Sequence, residues 1–431
     1  MRYGVVGLGM TGQSVLRHLP AEQVAWAWDT REDFDLTGLR QSHPDIRFHA
    51  GALPDAAWDE VDALVVSPGL AMADPLLAPA RVRALPIVGD IELFARAVDR
   101  PVIAITGSNG KSTVTTLVAE MLNASGIRAV AGGNLGTPAL DLLNRPVDLY
   151  VLELSSFQLE TTRSLAPSAA ALLNVSEDHM DRYDGMDDYV AAKARIFSNA
   201  RRAVVPPELA ALADGVPERV RFDLTPPAAE ADFGVATGWL VRGETRLMPV
   251  SELPLPMAHM QKNVLAALAL VRPFVTDLSP ALDVARGFSG LVHRTEQVAV
   301  RDGVRWVNDS KGTNVGATVA ALESFAALGP VVLVAGGVGK GQDFSPLRTA
   351  AARACRAVVT YGVDGPRIAE ALEGAVPVTQ RKTLEEALHV ARSQARPGDT
   401  VLLSPACASF DQFANYQARG EAFRQWVEEH V

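Results

Sequence analysis

VIAITGSNGKST, residues 102–113, changes character halfway along. Val102 to Ile105 are apolar, as in a strand buried within a parallel sheet. The residues Thr106, Gly107, Ser108, Asn109, Gly110, Lys111, Ser112 and Thr113 then turn into a helix that starts near Ser112. Glycines 107 and 110 let the backbone approach an anion closely, and the unpaired amides of a helix start point at it. Lys111 adds a point charge, and a hydroxyl of Ser112 or Thr113 suits Mg²⁺. The usual phosphate-loop pattern has its first glycine five places before Gly110; Ile105 stands there, so this is a shortened form that uses Gly107. An ordinary strand-turn-helix corner is the plainer alternative, and the Lys-Ser-Thr that follows weighs against it.

A chain of 431 residues suits roughly two to four domains. Hydrophobic residues make up 48% and charged residues 21%, with no apolar run near the roughly 20 residues of a membrane span. Met1 leads straight into a strand-like segment rather than a signal peptide, so the expectation is a cytoplasmic protein with no membrane partner. Cys355 and Cys407 are the only cysteines, too few for a disulfide scaffold or a structural zinc site. A net charge of −10 disfavours nucleic acid as a partner.

Residues 1–92 form the first expected domain. A short strand, Tyr3 to Val6, runs into Gly7-Leu8-Gly9-Met10-Thr11-Gly12 and a helix to about Leu19. A second strand from Val24 ends at Asp29, where a dinucleotide fold places its ribose ligand. Taken alone, the motif reads as NAD binding. A further strand, Ala63 to Val66, precedes Ser67-Pro68-Gly69, another turn suited to phosphate.

Residues 93–290 form the second. Leu149 to Ser156 reads as an apolar strand with one carboxylate, Glu153, placed to ligate Mg²⁺ beside a phosphate loop; a surface turn acid is the alternative. Leu172 to Val175 reads as a strand, followed by the polar loop Ser176 to Asp181, in which His179 suits either a metal or a structural hydrogen bond. Asp187 to Phe197 reads as a helix, and spacing alone makes its Lys193 a solvated lysine. Residues 202–256 are Pro-rich and irregular with short strand candidates, and His259 to Asn263 open an alanine-rich helix. Residues 291–431 form the third domain, with strands at Gln297 to Val300, Val304 to Val307, Val331 to Gly337 and Val401 to Ser404. Polar residues gather at the strand ends, where open α/β sheets bind ligands. The expected class is α/β, with Rossmann-like N- and C-terminal domains around a central, mainly parallel P-loop ATPase-type domain.

GLGMTG, TGSNGKST, GGNLGTPAL, ELSSFQLE, NVSEDHMDRY, AKARIF, HRTE, NDSKGTN and SPACASFDQFANYQARG together resemble the Mur ligase family of ATP-dependent amide-forming enzymes. The best-matching activity is addition of D-glutamate to UDP-N-acetylmuramoyl-L-alanine in peptidoglycan precursor synthesis. The resemblance implies Ser112, Glu153, His179 and Lys193 as Mg²⁺ ligands, with Lys193 carrying a CO₂-derived carbamate that turns a cation into a metal-binding carboxylate. It implies catalytic roles for Lys111, Lys193, His179 and Arg294, and ATP contacts at residues 107–113, Asn263, Arg294 and Asp309. The glycines at the N-terminus pass from NAD to a UDP group: Gly9 and Thr11 in the loop, Asp29, Thr30 and Arg31 near uracil, Ser67 and Gly69 near the diphosphate, and Asn134 farther along the substrate. Lys311, Thr313, Lys340, Ser409 and Tyr416 are implied around D-glutamate, where cations suit carboxylates. The chain departs from the family pattern at Val338, where an acid is usual, and at Tyr416, where Phe is usual. A monomer is expected.

Overall fold

The apolar run that precedes the phosphate loop lies in the middle of a six-stranded parallel sheet, and further sheets are built before and after it in the chain. The computed structural model describes residues 1–254, 256–326 and 328–431. It divides into one unit of residues 1–174, 187–249 and 263–286 and a second of residues 175–186, 250–262 and 287–431. Polar bonds account for two pieces of central sequence joining the second unit: Lys340 Nζ and Asn314 Nδ2 donate to Asp178, and His259 Nδ1 pairs with the Ser324 hydroxyl.

The first unit opens with β1 (Tyr3–Val6), β2 (Val24–Asp29), β3 (Phe48–Ala50), β4 (Ala63–Val66) and β5 (Ile87–Val88), in the order β3-β2-β1-β4-β5. All neighbours are parallel, and strands buried on both faces need continuous apolar sequence, as VAWAWD in β2 supplies. Trp26 and Trp28 each meet Trp58 edge-on, with ring centres 5.8 and 6.0 Å apart. The helix Met10–His18 packs tightly after β1: a Cβ on Gly12 would lie 1.9 Å from the Gly7 carbonyl oxygen.

The next sheet is β6 (Val102–Thr106), β7 (Ala129–Gly133), β8 (Leu149–Glu153), β9 (Ala169–Leu172), β10 (Arg202–Val205) and β11 (Glu218–Arg221), in the order β11-β10-β9-β6-β8-β7. Helix Asp90–Ala97 links the two sheets. Its Glu92 accepts from the amides of Arg163 and Ser164, while Gln158 donates to buried Asp90. Burial pushes the Asp90 carboxyl up to about 6.

Some strand ends differ from the sequence reading. The strand expected through Ser156 stops at Glu153, because Ser155 and Gln158 form a capping box that starts the helix Ser156–Glu160. The one expected from Leu172 to Val175 is shifted earlier, to Ala169–Leu172, which leaves Asn174 outside the sheet. The short strand candidates of residues 202–256 are β10, β11 and a three-stranded antiparallel sheet of β12 (Phe233–Ala236), β13 (Trp239–Arg242) and β14 (Thr245–Pro249). Thr237 and Gly238, both at positive φ, close the first hairpin; such two-residue turns permit very short strands.

The second unit carries β15 (Glu296–Arg301), β16 (Val304–Asn308), β17 (Val331–Gly336), β18 (Cys355–Tyr361), β19 (Val378–Gln380) and β20 (Thr400–Leu403), in the order β15-β16-β20-β17-β18-β19. Only β15 runs antiparallel to its neighbour. Val331, Leu333 and Ala335 join one core cluster and Val332 and Val334 another, as the two-residue period requires of a sheet covered on both faces. Cys407 is buried and Cys355 half-buried in this packing, and the desolvation pushes both thiols up to about 12.

The Gly12 contact predicts that Gly12→Ala destabilises by about 1–3 kcal/mol, as overpacking does. Gly69→Ala, with nothing within 4 Å of the new methyl and no helix to cap, should change unfolding by less than about 0.5 kcal/mol. Urea midpoints check this, and equal values for the two variants would contradict the close-packing account.

Candidate active site

In the first sheet the chain leaves β1 toward β2 on one side and later returns to β4 on the other, so the ends of β1 and β4 border a crevice at the change of direction. Gly7 sits there at φ +85, and its Cβ would come within 2.7 Å of the Ser67 Cβ. Gly9 caps the following helix, Thr11 lies in its first turn, and Gly69 has open space around its α-carbon. Asp29 ends β2 and is buried. One of its oxygens accepts from the Arg31 amide and Nε, the other from the Leu8 amide and Arg31 Nη2. Burial acts to raise the Asp29 carboxyl, but these donors together hold it below the usual carboxylate range. A carboxylate has about four lone-pair sites, and all are used, which leaves none for the ribose of a dinucleotide. Arg31 is more open, with its guanidinium 4.4 Å from the Phe34 ring centre; Thr30 is half-buried between them in sequence.

The phosphate loop follows β6. Gly107 and Gly110 have φ of +154 and +81, conformations that side chains resist, and Gly110 immediately precedes the helix Lys111–Ala124. A Cβ at Gly110 would lie 2.6 Å from Asn263 Oδ1, so Asn263 closes one side of the loop. Asn174 pins the loop from the end of β9: its backbone oxygen accepts from the Ser108 amide, its Oδ1 accepts from the Asn109 amide, and its Nδ2 donates to the Asn109 oxygen. Sequence reasoning placed Asn174 in a strand and missed this role. A single asparagine has no distinguishing pattern.

Lys111 Nζ donates to the Gly107 and Ser108 oxygens at 2.8 and 2.9 Å, and Lys193 Nζ donates to the same Gly107 oxygen at 2.9 Å. Lys193 is 2% exposed, which overturns the solvated reading from spacing. It lies near the end of the helix Met186–Ala194, with Nζ 4.4 Å from the ring centre of Tyr189. Tyr189 reaches the loop as well, through its hydroxyl 3.2 Å from Ser108 Oγ; the sequence reading had treated it only as a core residue.

Glu153 is buried at the end of β8, opposite Ile105 of β6, rather than on a surface turn. Ser112 Oγ donates to one of its oxygens at 2.5 Å and Asn134 Nδ2 to the other at 2.7 Å. Two hydroxyls, Ser112 and Thr113, therefore start the helix beside a buried carboxylate. These are hard oxygen donors of the kind Mg²⁺ takes. Among the described residues no group of three or more His, Cys, Asp and Glu could hold a metal, so any ligand set must use such other donors.

In the second unit, His179 has φ +59; its amide donates to Asp178 Oδ1, and its ring is 3.6 Å from Asp178 Oδ2. Lys340, also at positive φ, donates to Asp178 at 2.5 Å. Asp178 and Asn314 were absent from the sequence-based site and are tied together by the Asn314 amide. Arg294 lies between two strained residues, His293 and Thr295, at φ +63 and +47. The Thr295 amide and the Ser404 hydroxyl donate to Asp309, which ends its turn after β16. Burial raises Asp309 from 3.8 to about 6, although Ser404, Thr295 and the charges of Arg294 and Arg419 oppose it. Lys311 lies with Nζ 4.0 Å from the Tyr416 ring centre, Thr313 follows in the same loop, and Ser409 is buried after β20.

Three family descriptions match successive parts of the chain: Mur ligase MurD-like, N-terminal domain, at residues 1–89; Mur ligase middle domain, at 105–271; and Mur ligase, glutamate ligase domain, at 293–407. A UDP-N-acetylmuramoylalanine--D-glutamate ligase of Hydrogenovibrio crunogenus is 47% identical over 100% of this chain and 98% of its own. One from Nitrosococcus oceani is 48% identical over 99% and 96%. Among solved structures, the UDP-N-acetylmuramate-alanine ligase of Thermotoga maritima matches over 100% of both chains with a TM-score of 0.62 at 19% identity. The folylpolyglutamate synthase of Mycobacterium tuberculosis, complexed with ADP, matches over 80% of this chain and 98% of its own, with a TM-score of 0.60 at 17% identity.

Asp309 gives a pH prediction. The folded state holds its proton more tightly than the unfolded state, so its contribution lowers stability as pH rises from about 4 to about 6. Relative to Asp309→Asn, the wild type should lose up to about 3 kcal/mol across that window. Urea unfolding of both proteins across the window measures it, and a difference that does not vary with pH would show that Asp309 titrates normally.

Proposed function

The chain belongs to the Mur ligase family, and from that membership we propose that it joins D-glutamate to the L-alanine carboxylate of UDP-N-acetylmuramoyl-L-alanine in an ATP-driven step of peptidoglycan precursor synthesis. The observation that carries this reading is the buried Glu153–Ser112 pair beside a phosphate loop on which two lysines converge, in a chain 47% identical across its whole length to a ligase of that name. Residues 1–92 are assigned the UDP substrate, 93–290 ATP, and 291–431 the amino acid. Asp29 builds its loop, while Arg31, Thr30, Gly9, Thr11, Ser67 and Gly69 offer charge, hydroxyls and amides to a uridine diphosphate.

A carboxylate does not condense with an amine in water, because hydroxide is a poor leaving group. Phosphorylation solves this: the L-alanine carboxylate attacks the γ-phosphorus, the bond to ADP breaks, and an acyl phosphate forms. The amine of D-glutamate then adds to that carbonyl carbon and loses a proton, the carbon–oxygen bond to the phosphoryl group breaks, and phosphate leaves with one former carboxylate oxygen, so that an amide remains. Lys111 and Arg294 are assigned the phosphoryl charge, Asn263 and Asp309 the nucleotide, and Asn134 the substrate near Glu153. Mg²⁺, when bound, supplies charge neutralisation at the phosphates. Glu153 and Ser112 fit it by donor chemistry, and His179 keeps its assignment as a ligand.

Lys193 is assigned a carbamate. Two ammonium groups sharing the Gly107 oxygen repel each other, and converting Lys193 to a carbamate replaces one cation with an oxygen-donor anion. Lys340, Lys311, Thr313, Ser409 and Tyr416 are assigned D-glutamate, whose two carboxylates suit two cations. The protein is proposed to act as a cytoplasmic monomer; no helix among the described residues is long and apolar enough to cross a membrane.

Phosphate release from ATP and Mg²⁺ should require both UDP-N-acetylmuramoyl-L-alanine and D-glutamate. Release with L-alanine, L-lysine or meso-diaminopimelate instead would move the chain to another ligase activity, and no release with any of them would overturn the reading. Lys193→Ala should lower turnover by a factor of about 100 or more, comparable to loss of an electrostatic stabiliser, with partial recovery in acetate. Undiminished turnover in that variant would remove the carbamate from the mechanism.

A further inference from the structure

Arg419 is among the largest fully buried side chains, with 0% exposure, and its guanidinium is bonded entirely to neutral oxygens. It lies in the first turn of the helix Tyr416–His430. Nε donates to Ser310 Oγ at 3.0 Å, Nη2 to the Ser310 and Cys407 carbonyl oxygens at 2.8 and 3.0 Å, and Nη1 to the Gly336 carbonyl oxygen at 3.4 Å. Among the described residues, no carboxylate is within ion-pair distance of it. Burial keeps the nearby Tyr361 phenol neutral, pushed up to about 12. A desolvated cation is costly unless its donors are satisfied, so the three carbonyls are held where the charge requires them.

Those carbonyls belong to the segments leaving β16, β17 and β20. The three strands are adjacent in the order β16-β20-β17, and Asn308, Leu403 and Val334 stand level across them. Each exit also carries residues assigned above to the amino acid: Lys311 and Thr313 after Ser310, Lys340 after Gly336, and Ser409 after Cys407. The second and third exits touch directly, through paired amide bonds between Val338 and Ala408. Arg419 ties the first exit to them. The Ser310 hydroxyl also donates to the Tyr416 oxygen, and Lys311 lies over the Tyr416 ring, so the same helix start orders that loop twice.

We infer that Arg419 is a positioning residue for amino-acid specificity: its planar fork fixes the spacing of three strand-exit loops that together recognise a dicarboxylic amino acid. This rests on the assignment of those loops to D-glutamate. Lysine offers a point charge without the fork, so Arg419→Lys preserves charge and loses the geometry.

The test is steady-state kinetics of Arg419→Lys with backbone hydrogen exchange on the same protein. The KM for D-glutamate should rise about tenfold or more, as small misplacements of binding groups do, while the KM for ATP and for the UDP substrate stays within about twofold. Exchange should increase together at residues 310–313, 336–340 and 407–409 and remain unchanged at 384–394. Ethylguanidinium should restore part of the D-glutamate affinity to Arg419→Ala. An unchanged KM for D-glutamate in folded Arg419→Lys, or a proportional loss in every substrate, would overturn the inference. If the wild-type protein does not use D-glutamate, the proposed reaction fails instead, and coordinated exchange at the three loops alone decides whether the clamp exists.

Discussion

One carbonyl oxygen, that of Gly107, organises the chemistry of the first unit. It accepts from Lys111, four residues along, and from Lys193, 86 residues along. A glycine-rich turn has too much conformational freedom to hold an anion site by itself, and ordering it costs entropy. The surrounding fold supplies the order: β6 sets one end, Asn174 grips the Ser108 and Asn109 backbone, and Asn263 fills the side that a Cβ at Gly110 would occupy. Local structure thus depends on residues far away in the chain, and these bonds hold the loop without any phosphate.

Buried charge at strand ends recurs with different compensation. Glu153 is met by a hydroxyl and an amide, Asp29 by backbone amides and an arginine, and Arg419 by carbonyl oxygens. Asp309 is less fully compensated, and burial prevails over its donors and nearby arginines. Burial thus outweighs the donors at Asp309 and is outweighed by them at Asp29. Parallel sheets make this arrangement possible because their strand ends direct loops to one edge while the strands themselves remain apolar.

Much of the fold was legible because parallel strands announce themselves as short apolar runs, and β1, β4 and β17 lie within a residue of their expected ends. Glycine positions and the Lys-Ser-Thr run also located the phosphate loop. Lys193 was harder. Its place in a helix carries no mark of burial, and only the family resemblance pointed to a site role before its 2% exposure was visible. Asn174, Tyr189 and Asp178 act through contacts separated by 65 to 162 residues, which no local pattern encodes. The short strands β12 to β14 lie in a stretch read only as holding short strand candidates, without bounds, because proline and turn residues interrupt the period that longer strands display.

The packing of β18 and the turn after β20 has a chemical consequence for both cysteines. Desolvation pushes both thiols up to about 12, which disfavours the thiolate, the reactive form. Neither cysteine is therefore favoured as the thiolate. A cysteine introduced on an exposed surface, with no such desolvation, would ionise more readily than either and so react first with a thiol-directed reagent.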